Sequence, residues 1–70
     1  MKILFVSTSH SQTIVTVKLE EDVKVPNLYE VHLYNNNSGY TERFTTCYTH
    51  EDAAYYHKQL CEKCHIKVNM

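Results

Sequence analysis

Glycine and proline are scarce in this sequence, and each occurs once, as Gly39 and Pro26. With a single glycine, the chain has no glycine-rich loop of the kind that cradles the phosphates of a nucleotide. The three cysteines are an odd number placed late in the chain, which is not the disulfide framework of a small secreted protein. These shortages predict a protein of a reducing compartment, and we expect it in the cytoplasm.

Long apolar runs are missing as well. The run at residues 3–6 is too short for the core of a signal peptide, and no stretch approaches the length of a transmembrane helix. We therefore expect no membrane partner. A chain of 70 residues has room for one hydrophobic core, so residues 1–70 are interpreted as one small domain.

An excess of charge of either sign is lacking too, because the formal net charge is −1 and acidic and basic residues are mixed along the chain. Proteins that bind nucleic acid usually carry a basic patch or stripe, and none is visible here. The charge pattern therefore favours a different kind of partner.

The first two-thirds of the chain is rich in β-branched and aromatic residues in period-two alternation. Residues 2–6 and 13–19 predict a first hairpin, and the acidic run and Pro26 place a connection at 20–27. Residues 28–34 predict a third strand, the asparagine-rich stretch 35–39 with Gly39 a tight turn, and residues 40–48 the return strand.

A helix is predicted to follow Thr49, whose hydroxyl can cap the amide three residues on, with Glu51 and Asp52 at the positive end of the dipole. No glycine or proline interrupts residues 52–65, and the tail at 66–68 suggests a short edge strand. The fold class is therefore α+β: a four-stranded antiparallel sheet of two hairpins with one carboxy-terminal helix on one face. One helical stripe should lie on the sheet: Ala53, Tyr56, His57, Leu60, Cys61 and Cys64. The predicted core comprises Phe5, Val15, Val17, Val31, Leu33, Phe44, Ala53, Leu60 and Cys64.

Cysteine and histidine cluster at the end of this helix, where the string from Cys61 through Cys64 to His65 has the spacing of c-type haem attachment. Haem would need export and a second axial ligand, and the sequence indicates neither. A zinc site is the second interpretation, with His57, Cys61 and Cys64 pointing the same way and Cys47 or His50 completing a tetrahedron. In the third interpretation, which we prefer, the cysteines are small buried packing residues, and we expect no cofactor.

A catalytic set is not evident either. Cys47, His50 and Glu51 supply a thiol, a base and an acid, but they straddle a strand end and a helix start, and sequence proximity is not catalytic geometry. We therefore predict a protein that is not an enzyme, with no catalytic residues.

Tyrosine is abundant instead, with six residues in the chain. Alternation should put Glu30, His32 and Tyr34 on one face of the second hairpin with Thr41, Arg43 and Thr45, and Tyr40, Phe44 and Tyr48 on the other. A small core cannot hide every aromatic ring, and tyrosine with arginine is the composition of binding hot spots. The predicted partner-binding residues are His32, Tyr34, Tyr40 and Arg43.

Residues 28–64 also show a recognisable order, in which a hairpin leads into an aromatic residue, a threonine, acidic residues and an alanine-containing helix, here Tyr48-Thr49-His50-Glu51-Asp52-Ala53-Ala54. This order resembles the sheet-plus-helix DNA-binding domains of plant ethylene-response factors and of phage integrase amino-terminal arms. The resemblance implies a sheet with a helix packed on it. It also implies DNA contact through the exposed sheet face, which here would be His32, Tyr34, Thr41, Arg43 and Thr45.

From these features we predict a small protein-binding module, with a phage or mobile-element accessory protein that inhibits a host factor as the specific expectation. A nucleic-acid-binding domain and a small zinc-binding domain are the alternatives. The identity of the protein partner is left open, as is the formation of a homodimer.

Overall fold

The computed structural model describes residues 1–19 and 28–70, so the connection predicted at 20–27 lies outside the described residues. Four strands, β1 (Lys2–Thr8), β2 (Gln12–Leu19), β3 (Leu28–Asn35) and β4 (Thr41–Cys47), form one antiparallel sheet in chain order. One helix, α1 (His50–Lys63), packs against the sheet. The predicted α+β class and its element order are confirmed. No helix of the described part of the chain is long and apolar enough to span a membrane.

Period-two alternation gives the sheet two different faces. Residues on the face toward α1, here called the closed face, include the opposed pairs Ile14–Leu33 and Thr16–Val31. Ile14, Thr16 and Val31 are completely buried there. Their strand neighbours point away from α1 and form what we call the open face. The predicted separation of Tyr29, Val31 and Leu33 from Glu30, His32 and Tyr34 is confirmed.

Both outer strands contain a β-bulge, where one strand advances two residues while its partner advances one. In β1 the register shifts between Ile3 and Phe5, and in β4 it shifts so that Leu33 pairs with Arg43 while Tyr34 pairs with Thr41. The extra residues are Leu4 and Glu42. Each bulge reverses which side chains face α1 beyond it, and strand alternation read from the sequence does not reveal this reversal.

The core differs from the predicted one mainly at its edges. Val31, Leu33, Ala53 and Leu60 are buried in the core as predicted. Val17 is buried too, but it lies on the open face and outside the core cluster. The core also includes Cys61, as the packing interpretation of the cysteines predicted, and four residues that were not in the predicted list: Ile14, Tyr29, Cys47 and Ile66. Phe5, Val15 and Cys64 are only partly buried.

Two aromatic placements are wrong, Phe44 in the core and Tyr56 on the helical stripe that was expected to lie on the sheet. Phe44 is 51% exposed, because it lies on the edge strand and faces away from α1. Tyr56 is 45% exposed, because its side of α1 overlooks β4, where the helix does not cover the sheet. The buried side of the helix is therefore narrower than the predicted stripe, and consists of Ala53, His57, Leu60 and Cys61.

The helix begins as predicted, with the Thr49 hydroxyl accepting a hydrogen bond from the Asp52 amide at 3.0 Å. It ends in a Schellman arrangement, in which the Ile66 amide donates to Cys61 O at 2.8 Å and the His65 amide to Glu62 O at 3.3 Å. This geometry requires a left-handed residue, and His65 has a φ of 57°. Ile66 is thereby turned into the core.

The tail after the helix is not the predicted edge strand at 66–68. Instead, Asn69 fastens the tail to β1. Its amide donates to Ser7 Oγ at 2.9 Å and its side-chain Nδ2 to Val6 O at 3.0 Å. The tail is thus held to β1 by one bond to its backbone and one to a side chain, and not by a strand ladder.

Candidate protein-interaction surface

The open face is organised as rows of directly opposed residues that cross all four strands. The central row runs Val6–Val15–His32–Phe44 from β1 to β4. The row toward the turns carries hydroxyls and runs Thr8–Thr13–Tyr34–Thr41, and the row on the other side runs Ile3–Val17–Glu30–Thr46. No described helix packs on these rows, since the buried residues of α1 lie against the opposite face. The open face is therefore apolar along its middle and polar along one side.

Three rings gather on this face, and we call them the aromatic cluster: His32, Tyr34 and Phe44. The His32 and Tyr34 rings are stacked, with centroids 5.8 Å apart and planes at 6°. The edge-to-face contact of His32 with Phe44 has a centroid distance of 4.8 Å. His32 Nε2 also lies 3.1 Å from Glu30 Oε1, which fixes the imidazole between its neighbours. Within the cluster, His32 and Tyr34 are partly buried and Phe44 is 51% exposed.

The polar row beside the cluster is tied together by side-chain hydrogen bonds. Thr8 Oγ1 and Thr13 Oγ1 are 2.7 Å apart, and Thr13 Oγ1 donates to Asn36 Oδ1 at 2.8 Å. Asn36 in turn donates from Nδ2 to Ser9 O at 3.0 Å and from its amide to Ser11 O at 2.9 Å. The two turns at this end of the sheet are thus joined, and they form a firm polar border for the aromatic cluster.

The turn between β3 and β4 is held by its own side chains. Asn35 Oδ1 accepts from the amides of Asn37 and Ser38, and the Gly39 amide donates to Asn35 O at 2.8 Å. Gly39 has a φ of 76°, a left-handed conformation that glycine adopts without cost. Tyr40 follows it and is 76% exposed. This predicted partner-binding residue therefore lies at the turn.

The structure brings together only part of the predicted partner-binding set. His32 and Tyr34 are adjacent on the open face, but Arg43 points to the other side of the sheet, because it pairs with Leu33 on the closed face. Thr45 pairs with Val31 and was misplaced in the same way, whereas Thr41 is on the open face as predicted. The bulge at Glu42 is the physical reason. Phe44, which the sequence had suggested for the core, takes the place that Arg43 was expected to occupy.

Arg43 instead lines a groove between β4 and α1 with a volume of about 870 Å³. Its other walls include Thr45, Tyr56 and Lys63. The groove exists because α1 lies over β2 and β3 more than over β4. The closed face is consequently left uncovered at its β4 margin.

A polar group lies in the centre of the core, where His57 is completely buried between two strands. Its Nε2 is 2.7 Å from Ser7 Oγ, and its Nδ1 is 2.8 Å from Thr16 Oγ1. Burial lowers the pKa of His57, because the charged imidazolium would be desolvated there. His57 is therefore a neutral residue that joins α1 to β1 and β2. Ser7 and Thr16 were not recognised in the sequence, since their pairing depends on the sheet register.

The residues predicted as alternative zinc or haem ligands include His57, which takes part in these hydrogen bonds. Both ring nitrogens of His57 are already occupied by hydroxyls. Cys61 is buried, and desolvation raises its pKa above the usual value, partly offset by a hydrogen bond with Ser7. Across residues 1–19 and 28–70, no three cysteine, histidine or carboxylate residues form a group suited to a metal ion. In this structure His57 acts as a hydrogen-bonding group and Cys61 as a buried packing residue.

The thiol considered for catalysis is also enclosed. Cys47 is buried, and its pKa is raised by desolvation and then by the nearby Asp52 carboxylate, which disfavours the reactive thiolate. The ring of His50 packs edge-on against Phe5 at 5.5 Å and against Tyr29 at 6.0 Å. These contacts hold His50 as part of an aromatic layer at the start of the helix.

Comparison with known proteins gives no match, since no known family, no curated protein and no solved structure resembles this chain significantly. The resemblance to ethylene-response factors and integrase arms stays a prediction. The function therefore has to be argued from the chemistry of the open face.

Proposed function

We propose that this chain is a protein-binding module without catalytic activity, and that its interface is the open face centred on the aromatic cluster. The observation that carries this proposal is the central row, which is apolar or aromatic on every strand and is covered by no described element. Its outer members Val6 and Phe44 are 37% and 51% exposed. Exposed apolar surface of this kind, with a polar border, is typical of protein interaction sites.

The charge of this face supports a protein partner over a nucleic acid. The three rows contain one carboxylate, Glu30, and no lysine or arginine, because the bulge turns Arg43 away. Phosphate neutralisation by lysine and arginine supplies most of the affinity for nucleic acids. A face with none of these residues would bind DNA or RNA weakly, whereas aromatic rings with few charges suit the centre of a protein interface.

The experiment compares capture of partners by the wild type and by the Tyr34→Ala/Phe44→Ala variant, using immobilised protein, an extract of the expressing cells and quantitative mass spectrometry. We expect specifically enriched proteins to be reduced about tenfold or more by this variant, the scale on which hot-spot residues act. Tyr55→Ala is the matched control, since Tyr55 is 62% exposed but lies on α1 away from the open face. Retained capture by the double variant, or loss with Tyr55→Ala, would contradict the placement.

Nucleic-acid binding is separated from this proposal by a gel shift at low salt. Binding of a labelled duplex that weakens steeply as salt rises would identify phosphate contacts and overturn the proposal. We expect no shift with the wild-type protein.

We further propose that the chain inhibits the protein that it binds. This follows from the expectation, based on the sequence, of a phage or mobile-element accessory protein that inhibits a host factor. A small module of this kind can act simply by covering a functional surface of a host factor in the cytoplasm. Induced expression in the host should then slow growth, and the Tyr34→Ala/Phe44→Ala variant should not. Equal growth with both proteins at equal abundance would contradict an inhibitory role.

A further inference from the structure

The two outer strands of the sheet differ in what lies beyond them. The tail contacts β1 at one point of its outer edge, because Asn69 Nδ2 donates to Val6 O at 3.0 Å and the Asn69 amide donates to Ser7 Oγ at 2.9 Å. For β4, the described residues supply a partner only on one side, β3. An edge strand left in this state presents unpaired amides and carbonyls that can pair with another strand.

The sequence of β4 restricts which strand can pair there in a two-fold arrangement. Two copies of one strand can pair antiparallel about a two-fold axis normal to the sheet, and each side chain then stays on the same face. Two residues that lie opposite each other must therefore share a face, so their sequence numbers differ by an even number. An axis at Glu42 or Arg43 would set like charges directly opposite each other, which is destabilising. Axes at Phe44, Thr45 and Thr46 avoid this, and of these only the axis at Phe44 sets ring against ring, with Arg43 against Thr45 of the second copy.

We propose that β4 pairs antiparallel with β4 of a second copy of this chain, about a two-fold axis at Phe44. The pairing extends the sheet across both copies and sets the two Phe44 rings, each 51% exposed in a single copy, next to each other. Aromatic residues paired across antiparallel strands are among the more favourable cross-strand contacts. The open faces of the two copies then lie on the same side, so the dimer presents two aromatic clusters side by side.

A short strand pair forms a small interface, so the dimer is reversible and depends on concentration. The inference goes beyond the proposed function, because it concerns the pairing of the β4 edge with a second copy of the chain, whereas the proposed function concerns the open face. Tyr34 lies on the inner strand β3, so Tyr34→Ala should weaken partner capture and leave dimerisation unchanged. The two proposals can therefore fail separately.

The test measures the dimer dissociation constant by sedimentation velocity from about 10 μM to about 1 mM, the upper value corresponding to an association worth only ~4 kcal/mol. Thr45→Lys places a lysine opposite Arg43 of the second copy, twice per dimer, and should weaken the dimer about 2- to 30-fold. Thr45→Glu places a carboxylate there and should strengthen it by a similar factor. Circular dichroism confirms that each variant is folded.

A double variant with exchanged charges distinguishes a loss of dimer contacts from a folding defect in Thr45→Lys. In Arg43→Glu/Thr45→Lys the lysine faces a carboxylate of the second copy, so the affinity lost in Thr45→Lys should return. Recovery supports the axis at Phe44. A protein that stays monomeric at about 1 mM overturns the proposal, and so does weakening by both Thr45→Lys and Thr45→Glu, because that result places Thr45 opposite itself.

Discussion

The two faces of the sheet are built from alternate residues of the same strands, yet they have different chemistry. On the closed face, Ile14, Thr16 and Val31 are completely buried, and the one histidine beneath the helix has both ring nitrogens bonded. On the open face, His32 and Phe44 are held in fixed ring contacts but remain partly accessible. The difference is that packing against α1 buries the closed face, while the rings on the open face stay partly accessible.

The largest expected effect is the difference in the free energy of unfolding between two variants, each with one side chain of β2 truncated, on the closed or on the open face. Ile14→Ala should lower it by about 2–5 kcal/mol, because a buried side chain is lost and a cavity is left. Val15→Ala changes the adjacent residue of β2 on the open face and should cost about 1 kcal/mol. Urea denaturation followed by circular dichroism measures both. Equal losses would mean that the open face is covered as well as the closed one.

The buried histidine beneath the helix makes the free energy of unfolding depend on pH. The pKa of His57 is lowered in the folded protein by desolvation, so the unfolded chain takes up a proton more readily. The stability it supports is present above about pH 6.5, the ordinary value for histidine, and is lost as the pH falls from there toward the folded pKa. The loss should reach at most about 1.4 kcal/mol per pH unit for this one proton.

Urea denaturation at a series of pH values tests this dependence against two variants. His57→Gln removes the titrating group and should flatten the curve between pH 6.5 and lower values relative to the wild type. His32→Gln is the control, because it removes a histidine from the open face and leaves His57 in place, so the pH dependence that comes from His57 should remain. A slope that survives in His57→Gln would assign the acid sensitivity to other groups.

A smaller effect on the free energy of unfolding is expected at the end of α1, where His65 turns the chain so that Ile66 enters the core. His65 adopts the left-handed conformation with a φ of 57°, which glycine adopts without strain. His65→Gly should therefore raise the free energy of unfolding by about 1 kcal/mol and the melting temperature by roughly 4–8 °C. Lys67→Gly, two residues on and also exposed, is the control and should bring no gain.

Much of the fold could be predicted from local signals. Gly39 within an asparagine-rich turn and clean alternation from Leu28 define the second hairpin, and Thr49 marks the start of the helix. These features depend on residues close together in the chain, so short patterns specify them.

The candidate site was only half predictable, and the errors have separate physical origins. The face assigned to Arg43 depends on a one-residue bulge at Glu42, and no pattern in β4 marks it. The hydrogen bonds of His57 join residues that are 50 and 41 positions apart, so they follow from tertiary register and not from spacing. Phe44 looked like a core residue because hydrophobicity does not tell an inner strand from an edge strand.

The chain order of the sheet has a consequence for how the protein folds. Each strand pairs with its immediate neighbour in sequence, so the sheet can form by successive closure of short segments, which favours rapid folding. The contacts of His57 and Asn69 with Ser7 span most of the chain and carry a larger loop-closure entropy. We therefore expect substitutions in the β3–β4 hairpin to slow refolding, and substitutions at His57 or Asn69 mainly to accelerate unfolding.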